Sequence, residues 1–388
     1  MNRDAVIVST VRTAVGKYGG ALAEVRDYEL GAAVIREVVA RSGIDAGEID
    51  DVYFGNLLGV PGNVARVAAL AAGVPAQVPA ATVDRQCASS LEALAICAAM
   101  IRGGFGDIYL AGGCESMSNR PYLMEKPIKA YPFDPPRFLD NMFVPPDMEQ
   151  IGMGQTAENV LKAFPFSRKQ MDAFAYQSHV RTVRALDEGV FREHIVPITT
   201  YRGKEAFVFD TDESPRRNTD MASLARLRPL FQADGSVTAG NSCPMSDGAA
   251  AQIVMSRQRA GELGLTPLAS IKGFVFAGLD YKVMGLGPIY AVKKLLNKTG
   301  ISLSDIGLIE LNEAFASQAL ACIQALGLPE DRVNVNGGAI ALGHPLAATG
   351  SILVTKLIGE MKRRGVQLGL VTMCIGGGQG TAMLLERE

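Results

Sequence analysis

The 388-residue sequence contains no tryptophan, only three histidines and no excess of either charge. Its 38 basic and 40 acidic side chains are interspersed and leave a formal net charge of −2, so no basic surface for nucleic acid is indicated. No run approaches the roughly 18 consecutive apolar residues that span a bilayer. The start, MNRDAVIVST, has neither a signal core nor an Arg-rich transit pattern. We therefore expect a cytoplasmic protein that binds neither nucleic acid nor membranes.

Zinc-binding and disulfide patterns are also missing. The six cysteines are scattered, without a C-x-x-C pair or another spacing typical of zinc ligands, so no metal site is expected. In a reducing compartment each cysteine is by default a small buried hydrophobic residue. No G-x-G-x-x-G follows a strand and no G-x-x-x-x-G-K-[ST] occurs, which excludes the usual dinucleotide and P-loop sites.

What the chain does contain is an internal repeat. The segment GIDAGEIDDVYFGN, from Gly43 to Asn56, matches GISLSDIGLIELNE, from Gly300 to Glu313, at an offset of 257 residues. The preceding VIREVV and AVKKLL match at the same offset, so each copy is predicted to form an amphipathic helix followed by a strand. Strands that alternate with helices favour parallel sheets covered by helices.

The same offset places Cys87 over His344, and each is predicted to begin a helix. The positive end of a helix favours a thiolate, and a cysteine beside a general base is the arrangement of an activated nucleophile. Cys374 follows a strand and precedes three glycines, so it is the candidate for a second acid or base beside an oxyanion site. His179 and His194 lie in charged contexts, where solvated or capping roles are expected.

Two other positions have both a functional and an ordinary interpretation. Asn312 ends a strand, where its amide can hold a water or an oxyanion without titrating, or can cap a helix. Arg216 and Arg217 can meet a phosphate-bearing substrate or remain a solvated pair.

The segments RQCASS, NEAFA, GGAIALGHPLAATG and CIGGGQGTA, with AENV, TAGN and SDGAA, together resemble the thiolases along essentially the whole chain. The resemblance implies duplicated α/β halves with mixed five-stranded sheets, layered with helices as αβαβα, and an inserted loop domain. The halves are expected at residues 1–117, completed by 246–267, and at 268–388, with the CoA-covering loop domain at 118–245. It also implies an acyltransferase without a permanently bound cofactor, whose substrates are coenzyme A and acyl-CoA.

Carried over by residue, the resemblance makes Cys87 the acylated nucleophile, His344 its base and Cys374 the acid or base at the α-carbon. Asn312, through a water, and His344 would stabilise the thioester enolate, and the N–H groups of Cys87 and Gly376 would form a second oxyanion hole. The positions that match CoA-contacting residues are Arg216, Ser223, Leu227, Phe231 and Ala239. Those that match the acyl pocket are Met153, Met284 and Phe315.

The leading hypothesis is thiolytic cleavage of a 3-oxoacyl-CoA, or the reverse Claisen condensation. A short-chain acetoacetyl-CoA thiolase is the alternative, but Gly152 stands where those members have a histidine and Cys243 where the family usually has a serine. A branched or aromatic 3-oxoacyl substrate is a further alternative. Cys374 disfavours a decarboxylating ketoacyl synthase, which would have a histidine there, and the retained catalytic groups disfavour a non-catalytic module. The segment VPGNVARVAALAAGVP resembles the dimer-forming region, so a homodimer or homotetramer is expected, with or without an accessory chain.

Overall fold

The computed structural model describes residues 3–59, 62–128, 135–139 and 141–388. The strands are β1 (Ala5–Thr13), β2 (Gly16–Lys17), β3 (Asp51–Gly55), β4 (Ala80–Val83), β5 (Ile108–Ser116), β6 (Leu123–Met124), β7 (Phe138–Leu139), β8 (Ile195–Val196), β9 (Ile198–Arg202), β10 (Glu205–Phe209), β11 (Ser246–Ser256), β12 (Ala269–Gly278), β13 (Leu308–Leu311), β14 (Leu368–Ile375) and β15 (Gln379–Arg387). The α-helices are α1 (Asp27–Ser42), α2 (Val64–Ala71), α3 (Ser89–Gly103), α4 (Met153–Ala163), α5 (Arg168–Asp187), α6 (Met221–Ala225), α7 (Arg257–Glu262), α8 (Gly287–Thr299), α9 (Ala316–Leu326), α10 (Ala339–Leu342) and α11 (Thr349–Arg364). Among these helices, none is long and apolar enough to cross a membrane.

The main sheet path contains the same pairing pattern twice. Its order is β13-β14-β15-β12-β1-β11-β5-β3-β4. In the first half, β1 pairs antiparallel with β11 and β11 with β5, whereas β5, β3 and β4 pair parallel. In the second half, β12 pairs antiparallel with β15 and β15 with β14, whereas β14 and β13 pair parallel. The repeat is therefore structural. The purely parallel sheets favoured by alternation alone were wrong, because β11 in the first half and β15 in the second run antiparallel to both of their neighbours.

The second half contributes four strands to this path where five were expected. In place of a fifth strand, Val333 forms a single parallel bridge to Ile309. The next residue, Asn334, has a left-handed backbone with φ of 45°, which ends extended pairing. Its side-chain amide instead accepts the Leu311 N–H at 2.9 Å and donates to the Leu311 carbonyl at 2.8 Å. This amide clamp holds the end of β13 directly before Asn312.

Two helices from different halves lie at the centre of the molecule. Helices α3 and α11 pack against each other, and their buried side chains form one apolar core with both halves of the sheet. Helices α1 and α2 cover the outer face of the first half, and α8 and α9 cover that of the second. The layering is thus αβαβα, as the resemblance implied.

The N-terminal ends of α3 and α11 meet through small residues. The Ser351 N–H donates to the Ser90 hydroxyl at 2.9 Å. A β-carbon on Gly350 would lie 2.7 Å from the Leu91 backbone nitrogen and β-carbon, so no larger residue fits there without separating the helices. The contact brings the segment before α3, which contains Cys87, close to the segment before α11, which contains His344.

A buried ion pair joins the segment between β5 and β11 to the first half. Arg12 and Asp212 have fully buried side chains and form two parallel bonds of 2.7 and 2.8 Å. Asp212 also accepts the Val15 N–H at 2.8 Å, and the Arg12 guanidinium lies 5.0 Å from the Phe191 ring centroid. The division at residues 117, 245 and 267 stays a prediction.

We expect Asp212→Ala to lower the free energy of unfolding by about 3–5 kcal/mol, because it leaves the Arg12 guanidinium buried without a counter-charge. Urea denaturation followed by circular dichroism measures the loss. The matched control is Asp187→Ala, which breaks an exposed pair with Arg217 and should leave the transition unchanged. Equal effects of the two substitutions would contradict the prediction.

Candidate active site

Cys87 lies in a tight turn between β4 and α3. Gln86 has a φ of 49°, an uncommon conformation for a residue with a side chain. The turn is held by the Asp84 carboxylate, which accepts the Gln86 N–H at 2.8 Å, and by the Ser89 hydroxyl, which accepts the Arg85 N–H at 2.9 Å. Cys87 is two residues ahead of the first helical residue, so its predicted position at a helix start is confirmed to within two residues.

The environment of Cys87 favours a thiol and not the expected thiolate. Burial raises the pKa of Cys87 to about 11, although the N–H groups of Gly376 and of Cys87 itself bond the sulfur and lower it. Negative charge on Glu115 and Asp84 raises the pKa further. The stabilisation of a thiolate by the start of α3 is therefore smaller than the cost of desolvating the charge, so the Cys87 sulfur needs a base before it can attack.

His344 lies in the loop between α10 and α11, five residues before the helix. The prediction that it begins a helix was wrong, because a 3₁₀ turn at Leu346–Ala348 intervenes and α11 starts only at Thr349. The His344 N–H donates to the Ser246 hydroxyl at 3.2 Å, which fixes the loop against the start of β11. Since β11 belongs to the first half of the sheet, the loop bridges the two halves.

The hydrogen bonds of the His344 ring define its tautomer. Nδ1 lies 2.6 Å from the Thr349 hydroxyl, which donates its own proton to the Pro345 carbonyl at 3.0 Å. The hydroxyl must therefore accept from Nδ1–H, so Nε2 carries the lone pair. The Asn312 amide nitrogen faces Nε2 at 3.4 Å, which agrees with this assignment. Burial lowers the pKa of His344 to about 4, so the resting ring is neutral and can accept a proton at Nε2.

Cys374 ends β14, and Gly376, Gly377 and Gly378 turn the chain into β15. Its side chain is buried in one apolar cluster with Met284, Phe315 and the partly buried Met153, so the three predicted acyl-pocket residues belong to the same cluster as Cys374. Burial raises the pKa of Cys374 well above the usual value, and negative charge on Cys87, Cys322 or Cys243 raises it further. Cys374 is thus a neutral thiol beside the nucleophile and can give up a proton only to a strong base.

The predicted CoA-contacting residues extend outward from this cluster. The rings of Phe231 and Phe315 meet edge to face with centroids 6.4 Å apart, which joins the acyl-pocket residues to the outer surface. Leu227 packs over Gly240, and Arg216 and Ala239 line a neighbouring cavity of about 410 Å³. Arg216 is exposed, as a phosphate-binding residue has to be.

Two expectations in this region need correction or qualification. His179 and His194 were expected to be solvated or capping, but burial lowers the pKa of each to about 4. The His179 ring instead accepts the Arg216 N–H at 3.2 Å and supports that segment from inside. Ser223 lies in α6 near the cavity, yet its hydroxyl already donates to the Asp220 carbonyl at 2.8 Å.

Comparison with known proteins agrees with this arrangement. A family model described as "Thiolase, N-terminal domain" matches residues 5–258, and one described as "Thiolase, C-terminal domain" matches residues 265–387. The chain belongs to the thiolase family. The thiolase is 45% identical over 392 residues to a Pseudomonas aeruginosa protein named acetyl-CoA acetyltransferase, with 100% of each chain covered. It is 46% identical over 401 residues to a Bacillus subtilis protein named 3-ketoacyl-CoA thiolase, with 99% of each covered. The crystal structure of the Bacillus anthracis acetyl-CoA acetyltransferase superimposes with a TM-score of 0.95 at 40% identity, covering 99% of each chain.

The recognition of the family, the fold class and the assignment as an acyltransferase are thereby confirmed. Thiolases act on CoA substrates without a permanently bound cofactor. In the part of the chain that the structure describes, no group of three His, Cys, Asp or Glu side chains could hold a metal ion.

Three residues of this site were missed in the sequence. Thr349, which sets the His344 tautomer, lies in the segment GHPLAATG, where a hydroxyl five residues after the histidine was a usable signal. Glu115 ends the apolar strand segment LAGGCES, and a carboxylate there was a second signal. Gln86 gave no signal, because its left-handed backbone depends on the turn around it.

Proposed function

We propose that this thiolase cleaves a 3-oxoacyl-CoA with coenzyme A, yielding acetyl-CoA and a shortened acyl-CoA, and that Cys87 carries the acyl group in between. The observation that carries the proposal is the conjunction of a partly enclosed thiol, a neutral imidazole whose Nε2 lone pair faces the Asn312 amide, and a second, buried thiol whose pKa responds to charge on the first. One nucleophile, one base and one separate acid are what a carbon–carbon cleavage by thiolysis needs.

In the first half-reaction, Cys87 loses its proton to Nε2 of His344 as its sulfur attacks the 3-oxo carbon. The bond between the α-carbon and the 3-oxo carbon then breaks, and the α-carbon takes a proton from Cys374, so acetyl-CoA leaves. Asn312, through a water, and His344 stabilise the enolate oxygen of the departing acetyl-CoA. The shortened acyl group remains on Cys87 as a thioester.

In the second half-reaction, Cys374 recovers its proton from the thiol of coenzyme A, whose sulfur attacks the acyl group on Cys87. The N–H groups of Cys87 and Gly376 stabilise the oxyanion of this step. Their bonds to the Cys87 sulfur support this role, since they already point at the reacting atom. His344 returns its proton to Cys87, and every group is restored. Condensation of two acyl-CoAs is the same path in reverse.

We assign the CoA moiety to Arg216, Ser223, Leu227, Phe231 and Ala239, and the acyl chain to Met153, Met284 and Phe315. The absence of a side chain at Gly152, directly before Met153, supports an acyl group larger than acetyl. The name of the Pseudomonas aeruginosa relative instead favours acetoacetyl-CoA as substrate, so this remains the second candidate.

A thiolysis screen of 3-oxoacyl-CoAs with C4 to C12 tails, combined with mass spectrometry of the quenched enzyme, tests both. We expect a mass increase of one acyl group on the peptide that contains Cys87, and faster turnover of tails longer than C4. Activity confined to acetoacetyl-CoA would favour the second candidate, and no acyl adduct on Cys87 with any substrate would refute the function itself.

For the assembly we propose a homodimer or homotetramer in the cytoplasm, with or without an accessory chain. Support comes from β4, the last strand of the sheet path, and from Val67 and Leu70 of α2, which are 48% and 47% exposed. The six cysteines are all free thiols, which is typical of a reducing compartment.

A further inference from the structure

A buried carboxylate that the proposed reaction does not use connects the two halves behind the active site. Glu115, at the end of β5, has no exposed surface. One carboxylate oxygen accepts the Leu58 N–H at 2.9 Å, and the other accepts the Ala347 N–H at 3.0 Å. Leu58 belongs to the first half, whereas Ala347 belongs to the loop that carries His344. Both oxygens thus meet donors only, as a carboxylate requires.

We propose that Glu115 is a positioning residue, whose ionised carboxylate fixes the His344 loop against the half of the molecule that carries Cys87. This role rests on the proposed function and deepens it, since Glu115 would keep the base His344 in a fixed position relative to the nucleophile Cys87. Glu115 bonds neither sulfur nor imidazole; it holds the loop through the Ala347 N–H, and its charge separately raises the pKa of Cys87.

A second contact shows how closely the loop is held. The Ala347 carbonyl lies against Gly113 of β5, so close that any side chain at this position would push the loop away. The turn at Leu346–Ala348 is therefore pressed against the strand by its carbonyl and bonded to Glu115 by its N–H. Proton transfer from a thiol depends steeply on distance, and a displacement of about 1 Å can cost about 100-fold in rate.

The surroundings of Glu115 make its charge sensitive to pH. Burial raises the pKa of Glu115 to about 7, although the N–H bonds from Leu58 and Ala347 lower it. The charge on Asp27 of α1 raises the pKa of Glu115 further. Asp27 itself accepts a hydrogen bond from the Asn56 amide at 3.1 Å. The other titratable groups that face Glu115 are the thiols of Cys114 and Cys87, which are neutral at this pH because burial raises the pKa of each.

The consequence is a fall of the reaction rate at acidic pH that the titration of His344 or Cys87 does not explain. As the pH falls through about 7, Glu115 gains a proton, its bond to the Ala347 N–H weakens and His344 loses its fixed position. The pKa of His344 is about 4 and that of Cys87 about 11, so neither titrates between pH 6 and pH 8. A change of reactivity in that window that disappears in Glu115→Gln is therefore attributable to Glu115.

The test compares the pH profiles of wild type and Glu115→Gln by two readouts: acylation of Cys87 by acetyl-CoA and alkylation of Cys87 by iodoacetamide. Since the thiolate fraction of a thiol with a pKa of about 11 itself falls about tenfold per pH unit, each rate is expressed as the ratio of wild type to Glu115→Gln. We expect this ratio to be about 10 to 100 at pH 8 and to fall about tenfold by pH 6, as the wild-type carboxylate becomes protonated. Glu360→Gln, at a buried carboxylate of α11 that bonds Asn336, Arg363 and Arg364, is the matched control and should keep the wild-type profile.

A Glu115→Gln variant with the wild-type rate and the wild-type fall at acidic pH would overturn the proposal. If that variant does not fold, Asp27→Asn replaces it. Removal of the Asp27 charge should move the acidic limb of the pH profile to lower pH. A limb that does not move would also overturn the proposal. Failure of the proposed function would appear differently, as a wild-type enzyme without an acyl adduct. The ratio of the alkylation rates reports on Glu115 even then, since the titration of Cys87 itself cancels in it and no acyl-CoA is needed.

Discussion

Cys87→Ala should lower the rate of thiolysis by a factor on the order of 10⁵ or more, because removal of a covalent nucleophile eliminates the intermediate on which both half-reactions depend. The variant should fold, since Cys87 is only partly enclosed and alanine removes only the contacts of its sulfur, such as that with the Gly376 N–H. Residual turnover would come from substrate binding and the oxyanion donors alone.

The measurement is steady-state thiolysis together with mass spectrometry after incubation with an acyl-CoA. The matched control is Cys97→Ala, at a fully buried thiol in the middle of α3, which should change stability but leave the acyl adduct intact. Retention of the adduct in Cys87→Ala would mean that another residue is the nucleophile, with Cys374 and Cys243 the nearest thiols to examine.

Cys374→Ala should separate the two halves of the chemistry. We expect Cys87 still to accept an acetyl group from acetyl-CoA, although more slowly, because His344 and both oxyanion donors remain and the CoA thiolate can leave without the proton of Cys374. Overall thiolysis should nevertheless fall by about 10²–10⁴-fold, the usual contribution of a general acid or base. The buried Cys374 thiol is the group proposed to move the proton at the α-carbon, and alanine cannot replace it.

Exchange of the α-protons of acetyl-CoA with deuterated water isolates this step. Wild-type enzyme should catalyse the exchange, and Cys374→Ala should not, while both form the acyl adduct. Cys97→Ala is again the matched control, since Cys97 is a buried thiol in the middle of α3 that belongs to the central apolar core and not to the cluster around Cys374. Undiminished exchange in Cys374→Ala would assign the proton transfer to another group, with His344 the first to examine.

Much of the fold was accessible from the sequence because the repeat preserves local patterns. The offset that sets Gly43 over Gly300 also sets α3 over α11 and β3 over β13. Since equivalent helices in a duplicated fold meet around a common centre, the offset alone indicated that Cys87 and His344 share a site. Antiparallel pairing of β1 with β11 was not accessible, because those strands are joined by no short turn and their pairing depends on tertiary packing.

The electrostatic state of the site was less accessible. A helix start predicts a thiolate at Cys87, yet the competing cost of burial can be judged only once the surrounding atoms are known. Similarly, the sequence around His179 and His194 reads as polar and exposed, whereas the fold encloses both rings. The role of Ser223 remains a prediction, because its hydroxyl is already engaged by the cap of α6.

The central pair of helices also carries an evolutionary consequence. Two identical subunits docked through such a pair would present the same side chain at both symmetry-related ends, either two thiols or two imidazoles. A mixed pair requires two separately encoded copies, so duplication of the ancestral gene had to precede, or accompany, the divergence of positions 87 and 344. Tandem duplication therefore allowed a thiol and an imidazole to occupy two positions that exact twofold symmetry would make identical.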